Sequence, residues 1–221
     1  SHYKKVYKFE YLFDSPLQRG YSDQLGLEYM EIPAKLKKST EGRPIKKKYV
    51  CLGVHTTSQC KYWNHPGGWE KLTKMLKKAG YEVVAVDQHE VFGIDGHWNT
   101  LPASAIKKTG MEFSEAMRYI EHCELFIGVS SGLSWTAYGL GKKVVMVSGT
   151  TIEDNEFTIG CKRLINKSAC HGCFNKPHLY KFNPGNWLWC PMHAGTDRQF
   201  ECTKTITPEE VFAAAKEMLD K

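Results

Sequence analysis

Short apolar runs rich in β-branched residues recur along the chain at 49–55 (YVCLGVH), 82–87 (EVVAVD), 125–127 (LFI) and 144–147 (VVMV), and each is bounded by Gly or polar residues. Continuous apolar runs of this length are the pattern of parallel strands buried on both faces. Between them the periodicity changes to that of amphipathic helices. After Pro66-Gly67-Gly68, residues Trp69, Leu72, Met75 and Leu76 share one face and Lys71, Lys74, Lys77 and Lys78 the other, up to Gly80. Residues 111–122 carry Met111, Ala116, Met117 and Ile120 on one face, residues 133–140 form a helix-length segment stopped by Gly141, and 208–219 form a terminal helix. In that last helix Thr207 caps, Glu209 and Glu210 suit the first turn, and Val211, Phe212, Ala215, Met218 and Leu219 face inward. Strands alternating with helices predict an α/β fold with a doubly wound, Rossmann-like parallel sheet. Weaker signals suggest a helix over 16–25, strands over 27–32 and 161–165, and a long loop over 89–108 with a short strand near Leu101.

The organising stretch is LFIGVSSGLSWTAYGLGKKVVMV, residues 125–147: strand, small-residue turn, helix, strand. The first backbone N–H groups of a helix lack intrahelical partners and carry the positive end of its dipole. Ser130, Ser131 and Gly132 stand at that start, so the turn can seat a phosphate or diphosphate. Equally, a Ser there can serve only as an N-cap. The loop after the first strand, Thr56-Thr57-Ser58-Gln59-Cys60-Lys61-Tyr62-Trp63-Asn64, lies where ligands bind in open α/β sheets. Thr57, Ser58 and Lys61 are candidate phosphate contacts, and Thr56 beside them is a further candidate binding residue. Trp63 is either a stacking platform or a core side chain. Asp87, at the tip of the next strand, either binds a ribose hydroxyl or caps its own turn.

Composition narrows the class. The chain has 221 residues, of which 42% are hydrophobic and 24% charged, an ordinary globular balance. No apolar run approaches the ~20 residues of a membrane span. No signal-peptide pattern opens the chain, which predicts a cytoplasmic protein. The start, Ser1-His2, reads as a tag remnant or the cut end of a longer protein. Lys35, Lys37, Lys38, Lys46, Lys47 and Lys48 lie in a basic linker and contribute much of the formal net charge of +6. Clustered in a loop, they suit an anionic ligand and are weak support for nucleic-acid binding.

Four of the eight Cys gather late in the chain: Cys170-His171-Gly172-Cys173, then Cys190 and Cys202. Without a secretion signal, such a set predicts a four-thiolate metal site, iron or zinc, with His171, His178 and His193 as competing ligands. Four protein ligands leave no open position, so the role is structural: to tie down an insert over 161–206 that has little core-forming periodicity. A redox Cys-x-x-Cys pair is the other reading. Cys51, Cys60, Cys123 and Cys161 read as buried or incidental thiols.

The segment GVSSGLSWTAYGLGKKVVMVSG resembles the nucleotide-sugar-binding unit of heptosyltransferases that use ADP-heptose. HTTSQCKYWNHPGGWEKL, CHGCFN, Cys190-Pro191 and FECTKTITPEEV are more narrowly similar to the bacterial autotransporter heptosyltransferases, which add heptose to serines of autotransporter adhesins. The likeness covers most of residues 49–219. It implies the C-terminal half of a GT-B enzyme, with 1–48 as interdomain connection and basic linker and 49–221 as the donor-binding domain. It also implies iron on Cys170, Cys173, Cys190 and Cys202, and ADP-heptose diphosphate on Ser130, Ser131 and Gly132 with Thr57 and Lys61 opposite. By the same likeness Lys61 stabilises the leaving group, and the catalytic base lies in the N-terminal half, so that the fragment binds donor yet is inactive alone. An autotransporter acceptor and a homo-oligomeric full-length enzyme follow as expected partners. The alternatives are a lipopolysaccharide heptosyltransferase, disfavoured by the cysteines, and a metal-ribbon binding module, disfavoured by the sheet pattern.

Overall fold

A computed structural model describes residues 15–220. Its centre is a six-stranded sheet in which every pairing is parallel. In chain order the elements are α1 (Leu17–Leu25), β1 (Tyr49–Gly53), α2 (Gly68–Lys78), β2 (Glu82–Asp87), the hairpin β3 (Val91–Ile94) and β4 (His97–Thr100), β5 (Ile106–Thr109), α3 (Phe113–Glu121), β6 (Leu125–Val129), α4 (Gly132–Gly139), β7 (Val144–Val147), β8 (Cys161–Leu164), α5 (Glu201–Lys204) and α6 (Pro208–Asp220). The sheet order is β5-β2-β1-β6-β7-β8. It runs outward in both directions from β1 and β6, so the crevice at their C-terminal tips is the topological switch point.

Alternation along β1 shows why both faces are apolar. Val50 and Leu52 pack with Leu72, Leu76, Val211 and Ala215 of α2 and α6. Tyr49 and Cys51 pack with Ala116, Ile120, Ala137 and Tyr138 of α3 and α4. At the crevice Gly53 lies opposite Gly128. A Cβ at either position would meet the Phe126 ring, at 2.6 Å from Gly53 and 2.7 Å from Gly128. Those two glycines therefore make room for the Phe126 ring, and a Cβ at Gly128 would also lie 3.0 Å from Ser134 Oγ of α4.

Three expectations are corrected. Residues 89–108 are not a loop: they form the β3–β4 hairpin and the edge strand β5, parallel to β2. The turn Asp95-Gly96 takes positive φ (52° and 84°), the conformation an Asp-Gly hairpin needs. Residues 27–32 are not a strand: they pair with no sheet edge and are held by side chains instead. Gln18 Nε2 donates to the Ile32 carbonyl (2.7 Å), and the Ile32 N–H donates back to Gln18 Oε1 (3.0 Å). Residues 161–164 belong to the sheet, as β8 beside β7, so the irregular excursion starts later than 161. The expected loop over 35–48 is irregular, and the helix over 16–25 is present as α1. Tyr3, Tyr7, Phe9, Tyr11 and Phe13, which make the start of the sequence rich in aromatics, lie outside the described residues.

Candidate functional site

Two cavities open at the tips of β1 and β6 and share four residues: Thr57, Lys61, Ser131 and Gly132. One, about 540 Å³, is lined by His55, Thr56, Val86, Asp87, Phe92, Phe113, Ala116 and Leu133. The other, about 520 Å³, is lined by Ser130, Thr150, Thr151, Glu156 and aromatic side chains of the cysteine-rich excursion. Together they form one trough with a polar waist.

The waist is built for an anion. Ser131 is the residue before the first turn of α4, in extended conformation, yet its side chain makes no capping hydrogen bond. Its hydroxyl oxygen is buried without a partner, so it is not committed to the helix. The leading N–H groups of α4 lack partners inside the helix. Burial pulls the Lys61 ammonium below the ordinary lysine value of 10.5, which marks a cation held away from water. Thr57 is exposed at the same point, and Thr56 keeps a buried, unpartnered hydroxyl on the apolar side. Such donors, held in a low-dielectric crevice, suit a diphosphate.

Asp87 caps its own turn, one of the two roles expected of it. Its carboxylate accepts the N–H groups of Gln88 (2.8 Å), His55 (3.3 Å) and His89 (3.4 Å), and it borders the apolar cavity. Ser130 borders the other cavity, and its hydroxyl donates to Glu156 Oε1. Trp63 is corrected: it is 3% exposed, packs edge-on against Trp69 at 5.0 Å, and donates from Nε1 to the Ile206 carbonyl (2.8 Å). It lines neither cavity of the trough and instead borders a separate depression beside the β3–β4 hairpin. Its amphipathic ring is satisfied in the core, so nothing leaves it free to stack on a ligand.

The cysteine-rich excursion, between β8 and α5, is made of turns. Its aromatic core unites Trp189, Cys190, Phe200 and Cys60, with Cys173, Tyr180 and Phe182 packed alongside. Cys60, read from sequence as incidental, therefore belongs to this cluster and also borders the trough. No spacing rule could have joined it to thiols so far downstream. Burial, then Glu201 and Cys190, pushes the Cys170 thiol up to about 11. Burial, then Cys60, Cys190 and Cys170, pushes Cys173 up to about 12. Cys202 is raised by burial first and then by Cys173, Cys170, Cys190 and Cys60. Cys173 and Cys202 thus feel neighbouring thiols, yet no three of the four Sγ atoms of Cys170, Cys173, Cys190 and Cys202 lie within 4.8 Å of one another. The backbone at Gly149 makes room for one member: a Cβ there would lie 2.6 Å from Cys202 Sγ. Among the described residues, the ligand atoms that all approach within 4.8 Å of one another are those of Cys170, His193 and Glu201. Of the competing histidines named from the sequence, His193 is therefore the one the fold brings beside a cluster thiol. Glu201 is also engaged by Arg198 (2.7 and 2.8 Å) and takes the Cys170 N–H (3.4 Å).

With this geometry in view, residues 4–182 match the sequence profile of glycosyltransferase family 9 (heptosyltransferase). The chain belongs to that family. It is 40% identical over 188 residues to the autotransporter heptosyltransferase Aah of Escherichia coli, covering 85% of this chain and 47% of that protein. It is 33% identical over 187 residues to the inactive autotransporter heptosyltransferase BimC of Burkholderia thailandensis, covering 85% and 44%. The fold superposes on the crystal structure of the iron-containing dodecameric glycosyltransferase TibC from enterotoxigenic E. coli with a TM-score of 0.88 and 34% identity, covering 94% of this chain and 54% of that one. A TibC structure in complex with ADP-D-β-D-heptose superposes equally well. The chain spans about half the length of the curated relatives it matches. Among its described residues no helix is long and apolar enough to cross a membrane.

Proposed function

We propose that this chain is the ADP-heptose-binding half of a protein O-heptosyltransferase that modifies serines of autotransporter adhesins. The observation that carries the reading is the two-chambered trough whose waist offers Lys61, the unpartnered Ser131 hydroxyl and the start of α4. The diphosphate lies at the waist. The nucleoside enters the apolar chamber, where Asp87 borders the ribose. The sugar enters the chamber of Thr150, Thr151 and Glu156, against the aromatic wall of the excursion. In the transfer, the serine oxygen bonds to the anomeric carbon, the bond from that carbon to the β-phosphate oxygen breaks, and ADP departs with the bonding pair. The serine proton passes to a base in the N-terminal half of the full-length enzyme. Lys61 and the α4 terminus offset the charge gathering on the departing ADP. This half alone binds donor without turning it over. Cys170, Cys173, Cys190 and Cys202 hold iron as a structural staple, a role that their soft donor set and the likeness to the iron-containing TibC support. The full-length enzyme works in the cytoplasm as a homo-oligomer.

Calorimetric titration of the chain with ADP tests the assignment. Removing a charged hydrogen-bonding group costs about 1.5–3 kcal/mol, so Lys61→Ala alone is expected to weaken ADP by about 10- to 150-fold. The double variant with Ser131→Ala weakens it further. Undiminished ADP affinity in the double variant would remove the waist as the diphosphate seat.

A further inference from the structure

At the wall of the sugar chamber lies a charged cluster whose ion pair the donor reading does not explain. Glu156 is 2% exposed, and the Arg163 side chain on β8 is 6% exposed. Arg163 Nη2 sits 2.5 Å from Glu156 Oε2. The other carboxylate oxygen, Oε1, accepts two hydroxyls: Ser130 and, at 3.4 Å, Thr151. Arg163 Nη1 also reaches Thr151 Oγ1 (3.4 Å), and Ser148 Oγ lies 2.8 Å from that same oxygen. Ser130, Thr151 and Glu156 all line the chamber.

The direction of the Ser130 bond decides what the chamber can bind. An ion-paired carboxylate has no proton to donate, so the hydroxyl must be the donor. The single Ser130 proton therefore points away from the ligand, and its oxygen offers the chamber lone pairs only. A phosphate oxygen brought there would meet acceptor against acceptor, whereas a sugar hydroxyl would donate to it. Stability does not account for the cluster, because a buried ion pair often does no better than apolar residues of the same volume.

Building on the donor reading above, we infer that Glu156 is a positioning residue that fixes Ser130 as a hydroxyl acceptor. It thereby makes this point of the trough select the sugar of the nucleotide sugar and reject phosphate. Arg163 holds Glu156 in that role. Ser130 thus belongs to the sugar end, and only Ser131 and Gly132 of the turn belong to the diphosphate.

The test compares affinities for ADP and ADP-heptose, measured by calorimetry on the same protein. In Glu156→Gln the amide nitrogen can donate to Ser130 and release the serine proton into the chamber. The preference for ADP-heptose over ADP is expected to fall about tenfold, the size of one hydrogen bond of about 1.4 kcal/mol. ADP affinity should stay within about twofold. Ser130→Ala is expected to lose the same preference, and combining the two to add nothing, since both remove one interaction. Ser130→Ala also carries the test if Glu156→Gln does not fold. An unchanged ratio of ADP-heptose to ADP affinity in either folded variant overturns the inference. Equal weakening of both ligands in Glu156→Gln also overturns it, by showing that the cluster only supports the scaffold. Failure of the unaltered chain to bind ADP would instead remove the donor reading, and the inference with it.

Discussion

Gly149 follows β7 and sits against the residue that brings Cys202 into the thiol cluster, and replacing it with alanine gives a sharp test of that packing. The added methyl would lie 2.6 Å from Cys202 Sγ, 2.8 Å from Thr203 Cγ2 and 2.9 Å from Cys202 Cβ. Neither neighbour can swing away freely, since Cys202 is 6% exposed and Thr203 is fully buried. Nor can the backbone retreat. The Gly149 carbonyl accepts the Gly172 N–H (2.8 Å), and the Thr150 carbonyl accepts the Phe174 N–H (2.9 Å), which ties this strand end to the Cys-x-x-Cys knuckle. Overpacking of this kind costs about 1–3 kcal/mol. Alanine recovers about 0.4–1 kcal/mol by restricting the unfolded chain, leaving a net loss of up to about 2.6 kcal/mol. For a protein of this size that is a Tm drop of up to about 10 °C. Because the displaced atom is a proposed metal ligand, iron per chain should fall as well. Differential scanning calorimetry and elemental analysis read the two effects. Gly20→Ala in α1, where a Cβ meets nothing within 4 Å, serves as the control and should not lower Tm. If Gly149→Ala matched the unaltered chain in both Tm and iron, the close approach of Cys202 and its place in a metal cluster would both be refuted.

Two further outcomes follow from contacts already described. Trp63→Phe removes the hydrogen bond to Ile206 and part of a core ring, and should lower stability by about 1–3 kcal/mol in denaturant titrations. ADP affinity of the folded variant should hold; a large loss would return Trp63 to the ligand site. Glu31 ties the front segment to the body by accepting the Thr158 N–H and hydroxyl, the Ile159 N–H and the Tyr138 hydroxyl at 2.7–3.0 Å. Burial alone would raise its carboxyl, but these bonds outweigh that and hold it below the ordinary 4.5. A depressed carboxylate stabilises the fold above its unfolded value and loses that contribution as pH falls through the folded one. Acid unfolding of Glu31→Gln should therefore show a shallower loss of stability below pH ~4.5 than the unaltered chain. Parallel curves for the two proteins would contradict this.

The parallel core was legible because its strands are buried on both faces, and such strands cannot hide their composition. Runs such as Val83–Val86 and Val144–Val147 leave little alternative. β5 escaped because an edge strand is half solvated: Ile106-Lys107-Lys108-Thr109 has a single strongly apolar residue, and its lysines suit an unpaired edge. The hairpin before it did carry a signal in Asp95-Gly96, masked by the weak alternation around it. At the candidate site, strand-tip position singled out Thr57, Lys61, Ser131 and Gly132, and the fold places all four between the two cavities. Trp63 follows the same loop but turns inward, and one residue of sequence cannot tell a ring facing the core from one facing a cleft. Glu156 and Arg163 had no motif to announce them. Their pairing depends on the loop after β7 folding back over β8, which is a long-range packing outcome.

The parallel frame closes on both sides of the excursion: β8 enters the sheet before it, and α6 packs against β6, β7, β8 and α2 after it. The turns that wall the proposed sugar chamber therefore lie outside the sheet and are tied to it at Gly149 and Thr150. An engineer seeking a different donor sugar for the proposed transferase would recast this side panel, keep those two ties, and leave the proposed nucleotide chamber untouched.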